Sequence, residues 1–134
     1  MSKDKLPSGQ PAIRVLAMSK DTNTAGDIFG GWIMSQVDIA GSIVAYRRAA
    51  GRVVTVAVNS FEFHHPVFVG DLVSCYAQVA RIGRTSLAVN VEIYAERDRG
   101  GHEIIKVTEA TLTYVAVYDD RKPRIVPVEP APSV

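Results

Sequence analysis

At 134 residues, with 47% hydrophobic and 22% charged residues, the chain has the size and balance of one soluble globular domain and leaves no room for a second. A formal net charge of +1 excludes bulk attraction to nucleic acid or to an anionic membrane, so any basic patch must be local. The single cysteine, Cys75, excludes an internal disulfide and leaves the cytoplasm as the expected compartment.

In chain order, MSKDKLPSGQP has Pro and Gly where a signal peptide would carry its apolar core, and residues 1–10 read as a short disordered arm. AIRVLAM alternates as a short strand from Ala12, and SKDTNTAGD, rich in turn formers, makes an irregular loop. The loop leads into a helix predicted from Gly31 to about Ala49. Between Ile28 and Tyr46 its only charged residue is Asp38. Apolar on nearly every side, such a helix must be covered by other structure on most faces. It does not read as a membrane span, because Asp38 alone would cost about 2.5 to 3.5 kcal/mol at the bilayer centre and Gln36 adds to that. RVVTVAVNSFEFHHPV, DLVSCYAQVARI, TSLAVNVEIYAER and EIIKVTEATLTYVAVY follow as strands rich in Val, Ile, Thr and Tyr. The turn signals VGD, IGR and DRGG set the last three up as an antiparallel meander. Four long strands after one buried helix predict an α+β domain, a curved antiparallel sheet wrapped around the helix, over residues 11–118. Residues 119–134 are Pro-rich and read as an extended tail outside the sheet.

Asp38 shares its helix face with Met34, Ser35, Gly41 and Ser42, which are mostly small or polar and leave room beside the carboxylate. A buried carboxylate without a partner is a base in waiting. The alternative is a structural ion pair with Arg47 or Arg48, which could span a subunit boundary. Gly30 and Gly31 stand where loop becomes helix, so bare amides and the positive end of the helix dipole face whatever occupies the loop. They are either an oxyanion site or a device for a tight turn. Asn23 is by type a turn residue and Arg84 an exposed hairpin residue, but arginine also suits phosphate oxygens. Arg47, Arg48 and Arg52 complement the helix dipole. His64 and His65, adjacent in a predicted strand, point to opposite faces and do not chelate one metal easily. No metal site is predicted.

The run DTNTAGDIFGGWIMSQVDIAG, followed by GRVVTVAV, FHHPVFVGD and IGRTS, resembles the hotdog-fold acyl-CoA thioesterases, most closely the short bacterial YciA-type proteins, from about Pro11 to Tyr118. The resemblance implies a hotdog fold and two subunits joined into one continuous sheet. It also implies hydrolysis of acyl-CoA thioesters to a free carboxylic acid and CoA at the subunit boundary. The catalytic carboxylate falls on Asp38 as base or nucleophile, the loop amide on Asn23, and the carbonyl-polarising backbone amide on Gly31 with Gly30 beside it. The CoA-contacting turn falls on Arg84, Thr85 and Ser86. No cofactor is required, because CoA is part of the substrate. A homodimer with shared active sites is implied, with a trimer of dimers as its further assembly. The rivals are a non-catalytic acyl-CoA binding or sensing protein on the same fold and, more remotely, a hotdog dehydratase, whose histidine pattern FHHPVFVGD does not reproduce.

Overall fold

A computed structural model describes residues 4–98 and 100–128 of the chain. One long helix, α1 (Gly30–Ala49), lies against a sheet of β1 (Ile13–Leu16), β2 (Val53–Phe63), β3 (Leu72–Ile82), β4 (Ser86–Asp98) and β5 (His102–Ala116). The spatial order is β1-β3-β4-β5-β2 with every pairing antiparallel, so β3, β4 and β5 form the expected meander. β2 enters the sheet beside β5, leaving its other edge open.

The core is the seam between helix and sheet. Ile33, Val37, Ala40, Gly41, Ala45 and Ala49 recur at helical spacing and are buried against alternate residues of the strands, among them Leu87, Val89, Leu112 and Tyr114. Small residues on this stripe let the helix sit close to the sheet. Within one chain the sheet leaves much of the helix uncovered: Met34, Ile39 and Tyr46 remain exposed on it and Phe29 just before it, as do Val56, Val58 and Phe63 on β2. The cover expected on most faces of the helix is therefore incomplete in a single subunit. Such a set of exposed apolar residues beside an open 11-residue edge strand is characteristic of an interface.

Most boundaries shift by a residue or two from the sequence reading, and three bear on the site. β2 stops at Phe63, because the amides of both His64 and His65 turn to the Val107 carbonyl (2.8 and 3.4 Å) and Pro66 has no amide to give. The two histidines thus lie beyond the strand, and the opposite-faces argument does not apply to them. β4 begins at Ser86, one residue inside the expected strand TSLAVNVEIYAER, so of the expected CoA-contacting turn Ser86 stands at the strand start and Thr85 just before it. The chain after Ala116 is extended and outside the five strands, but through Val128 it is docked. Val117 bridges Pro123, and Arg124 donates to the Ala49 carbonyl at the helix C-terminus (2.9 Å). Arg48 holds the carbonyls of Pro127 and Val128 (both 2.7 Å). Arg124 thus satisfies a carbonyl at the helix C-terminus, as helix ends require, while Arg48 ties the tail back to the helix. At the other terminus residues 4–12 lie outside helix and strand, and the Asp4 carboxylate accepts the Lys106 amide at 2.8 Å. Residues 1–3 and 129–134 of the expected arm and tail lie outside the described residues.

Candidate active site

Asp38 is half-buried on α1 and its two carboxylate oxygens are not equivalent. Oδ1 accepts hydrogen bonds from the Thr55 hydroxyl (2.7 Å) and the Tyr114 hydroxyl (2.9 Å), and the same phenol lies 3.0 Å from the Asp38 main-chain carbonyl. Oδ2 has no partner among the described residues. Thr55 and Tyr114 are directly opposed across β2 and β5, so one cross-strand pair delivers both donors. The register shifts just after Thr55, leaving Val56 unpaired, and the resulting bulge bends β2 next to the site. Tyr114 is fully buried. Burial and the Asp38 carboxylate push its phenol well above the ordinary tyrosine range, with the Thr55 hydroxyl opposing weakly, so it stays protonated and acts as a donor.

No cation reaches Asp38 among the described residues. Arg48 is committed to the Pro127 and Val128 carbonyls and Arg47 is exposed, so the ion pair weighed as the structural alternative does not form within the chain.

Gly30 and Gly31 open α1, and the first helical amides to bond are those of Trp32 and Ile33, both to the Phe29 carbonyl. The Gly30 and Gly31 amides have no acceptor in the described chain, as expected of a helix N-terminus. A Cβ on Gly31 would meet nothing within 4 Å and one on Gly30 only the Phe63 ring at 3.5 Å, so a ligand could approach the backbone here. Gly31 precedes Asp38 by two helical turns, about 10 Å along the axis.

Asn23 organises the preceding loop. Its Oδ1 accepts the amides of Ala25 (2.9 Å) and Asp27 (3.2 Å), and its own amide donates to the Asp27 carbonyl (2.7 Å). That is the turn role its residue type predicts. The side-chain Nδ2 stays free among the described residues. With Gly30, Ile33, Phe63, His64 and His65, Asn23 lines a cavity of about 390 Å³ that does not include Asp38. One chain therefore brings Asn23 and Gly30 together, and separately Asp38 with Thr55 and Tyr114.

The FHHPVFVGD stretch frames that cavity. The Ile28 amide donates to the Val67 carbonyl (3.2 Å). Asp71, almost wholly buried, accepts the Phe68 amide (2.9 Å) and both arms of Arg97 (2.9 and 2.7 Å). Arg97 also stacks on the Phe68 ring at 4.5 Å. His64 turns its Nε2 to Glu109 at 3.3 Å. Ligand atoms of Glu62, His64 and Glu109 lie within 4.8 Å of one another, but Lys106 already holds the second oxygen of Glu109 at 2.7 Å, making this an exposed ion-pair cluster.

Arg84 stands at the tip of the β3–β4 hairpin with an exposed side chain and no ion pair among the described residues. Its backbone is fixed: the Arg84 carbonyl accepts the Val126 amide (2.9 Å) and the Thr85 carbonyl accepts the Ala116 amide (2.8 Å). Ser86 closes the turn by accepting the Gly83 amide on its carbonyl (2.8 Å), and its hydroxyl lies where a Gly83 Cβ would fall. The hairpin is thus a rigid mount for one free guanidinium.

Thr55 and Tyr114 escape the sequence reading, and Gly41 enters it only as a small residue on the Asp38 face of the helix. Alternation in β5 places Tyr114 inward, and a buried phenol needs an acceptor. Only the register of β5 under α1 reveals that the acceptor is Asp38.

Comparison with known proteins gives the family. Residues 25–102 match the family model described as the thioesterase superfamily. The acyl-CoA thioester hydrolase YciA of Salmonella typhimurium is 48% identical over 128 residues, covering 94% of this chain and 96% of that protein. A hexameric thioesterase from Yersinia pestis superposes with a TM-score of 0.84 at 50% identity, over 91% of this chain and 98% of that one. An acyl-CoA hydrolase from Staphylococcus aureus, solved with butyryl-CoA and CoA, gives 0.79 at 30% identity over 86% and 70%. The Staphylococcus protein was also solved with an aspartate and, separately, a threonine replaced by alanine, at positions 17 residues apart, the separation of Asp38 and Thr55 here. The chain belongs to the hotdog thioesterase superfamily, in the group of YciA-type acyl-CoA thioester hydrolases.

Proposed function

We propose that the protein hydrolyses acyl-CoA thioesters to a carboxylic acid and CoA in the cytoplasm, without metal or cofactor. The observation that carries this reading is the unequal Asp38 carboxylate, with Oδ1 tied to two neutral hydroxyls and Oδ2 free. The buried structural carboxylate of Asp71 has both oxygens bonded, whereas a reacting carboxylate must keep an oxygen available. The thioester carbonyl oxygen would accept the amide of Gly31, with Gly30 beside it, and Asn23 Nδ2 would orient water or the same carbonyl. In the base route Asp38 Oδ2 takes a proton from water as its oxygen bonds to the carbonyl carbon, and negative charge collects on the carbonyl oxygen before the amides. Collapse breaks the C–S bond, and the proton passes from Asp38 to the departing sulfur. In the nucleophile route the same oxygen bonds to the carbonyl carbon, CoA leaves, and water opens the resulting anhydride. Arg84, with Thr85 and Ser86 in its hairpin, would hold the CoA phosphates at the distal end.

The site is read as shared between subunits. A carbonyl oxygen bound at Gly31 would lie about two turns from Asp38 of the same helix, too far for one reacting carbon to meet both. The open β2 edge and the exposed apolar residues beside it favour a dimer with a continuous sheet, built further into a hexamer as in the Yersinia pestis relative. Among the described residues no helix is long and apolar enough to cross a membrane.

Thiol release from a panel of acyl-CoAs tests the activity. Cys75 will not interfere, since it is fully buried and burial pushes its thiol up to about 12. Absence of release from every acyl-CoA would leave a binding or sensing protein. Subunit mixing tests the shared site. Asn23→Ala and Asp38→Ala proteins, each nearly inactive, are dissociated together and reassociated at random. Half the dimers are then mixed, with one doubly damaged and one intact site, so about a quarter of wild-type activity returns. A site built within one chain regains none, once mass spectrometry has confirmed exchange.

A further inference from the structure

We infer that Tyr114 is a positioning residue for the hydrolysis, that Gly41 exists in the helix to admit it, and that together they leave Asp38 Oδ2 as the one oxygen able to react. This rests on Asp38 being the reacting carboxylate.

The geometry is specific. Gly41 lies one turn after Asp38 on the buried stripe of α1, in a helix interior where alanine would normally be favoured by about 1 kcal/mol. A Cβ at position 41 would overlap the Tyr114 hydroxyl and lie 3.1 and 3.2 Å from the ring carbons Cζ and Cε2. The missing side chain is the slot through which the phenol reaches the helix. Once there, its single O–H is shared between Asp38 Oδ1 (2.9 Å) and the Asp38 carbonyl (3.0 Å). One hydroxyl therefore grips both the side chain and the main chain of the same residue, fixing the carboxylate torsion relative to the helix. Thr55 approaches the same Oδ1 from β2 at 2.7 Å. With both donors aimed at one oxygen position, any partial turn of the carboxylate loses both bonds and a half-turn merely exchanges two equivalent oxygens, so the plane is held with one oxygen, labelled Oδ2 here, outward. Misplacing a catalytic group by about 1 Å can cost a hundredfold in rate, so this fixing has kinetic consequences although Tyr114, buried under the helix, touches no substrate.

Tyr114→Phe keeps the ring in its slot and deletes the grip. Because the lost bond is to a charged group, kcat for acyl-CoA should fall about ten- to a hundredfold. KM should stay within about twofold and the circular dichroism should match wild type, with kcat measured well below any lowered melting temperature and expressed per folded molecule. A kcat within twofold of wild type overturns the inference, and so does a fall in activity that disappears once it is expressed per folded molecule, which marks a packing residue only. Double replacement provides the readout that packing alone would not move. Thr55→Val and Tyr114→Phe act on the same oxygen, so their combined effect on kcat should depart from the product of the single effects; independent effects that multiply count against the inference. Asp38→Asn separates the two levels. If that variant still turns over, the reading of Asp38 as the reacting group fails and this inference with it. If it is inactive while Tyr114→Phe is unimpaired, only the inference fails.

Discussion

Asp38 and Asp71 are both aspartates drawn out of water in one small domain, and they are treated in opposite ways. Asp71 is 1% exposed and saturated, with Oδ1 on Arg97 Nε and Oδ2 shared by Arg97 Nη2 and the Phe68 amide. The carboxylate raises the proton affinity of Arg97 further, through the hydrogen bond first. Asp38 receives two neutral donors on one oxygen and nothing on the other. A saturated ion pair stitches the 66–71 loop to β4, whereas a half-satisfied carboxylate on the helix keeps one acceptor oxygen unspent among the described residues. Exposure alone would mislead, since the more deeply buried of the two is the structural one. What distinguishes them is the number of unspent acceptor sites and the charge of the donors.

The largest effect that can break this contrast is on turnover. Asp38→Asn, nearly isosteric, should lower kcat by about a thousandfold or more while leaving the melting temperature close to wild type. Collapse of stability with activity retained would make Asp38 the structural aspartate of the two. Asp71→Asn should do the reverse. It leaves the Arg97 guanidinium, only 13% exposed, with the more distant Glu103 carboxylate at 3.9 Å as its remaining ion-pair partner among the described residues. Breaking such a pair costs about 3 kcal/mol or more, readable as a loss of roughly 10 °C in thermal midpoint. Activity per folded molecule should be retained, which a thiol-release assay well below the new midpoint will check.

The smallest effect concerns the distal end. Arg84→Ala removes an exposed guanidinium that carries no ion pair among the described residues, so stability should not move. KM for acyl-CoA should rise about tenfold with kcat nearly constant, because the loss is of uniform binding far from the reacting carbon. Acyl-pantetheine thioesters, which lack the nucleotide, should be indifferent to the change. An equal penalty on both substrates would place Arg84 elsewhere.

The elements of the candidate site were legible in residue type and order. Asp38 is conspicuous as the only charge within a long apolar run, and the Gly30–Gly31 pair marks a helix start at which free amides face outward. Strand composition and turn signals sufficed for the β3–β4–β5 meander. The partners of Asp38 were not legible, because Thr55 and Tyr114 lie 17 and 76 residues away and neither belongs to a local pattern that names its acceptor. The Asp71–Arg97 pair, 26 residues apart, was hidden for the same reason. The end of β2 was misplaced because hydrophobic and aromatic content continued past Phe63, while the ladder stopped where two successive amides claimed one carbonyl.

The sequence by itself determined the element types and what each could bury, since periodicity, turn chemistry and helix-start glycines act over a few residues and need no distant partner. It also determined that one helix would carry one carboxylate in an apolar setting. Only the tertiary structure decided what that carboxylate meets: the register that sets Thr55 opposite Tyr114, and the Gly41 gap through which the phenol passes. Tertiary structure also decided that the Pro-rich segment after Ala116 returns to cap the helix through Arg124 and to brace the Arg84 hairpin through Val126. These are contacts between segments far apart in the chain, fixed by the way the sheet closes over the helix, and no local window of sequence contains both halves of any of them.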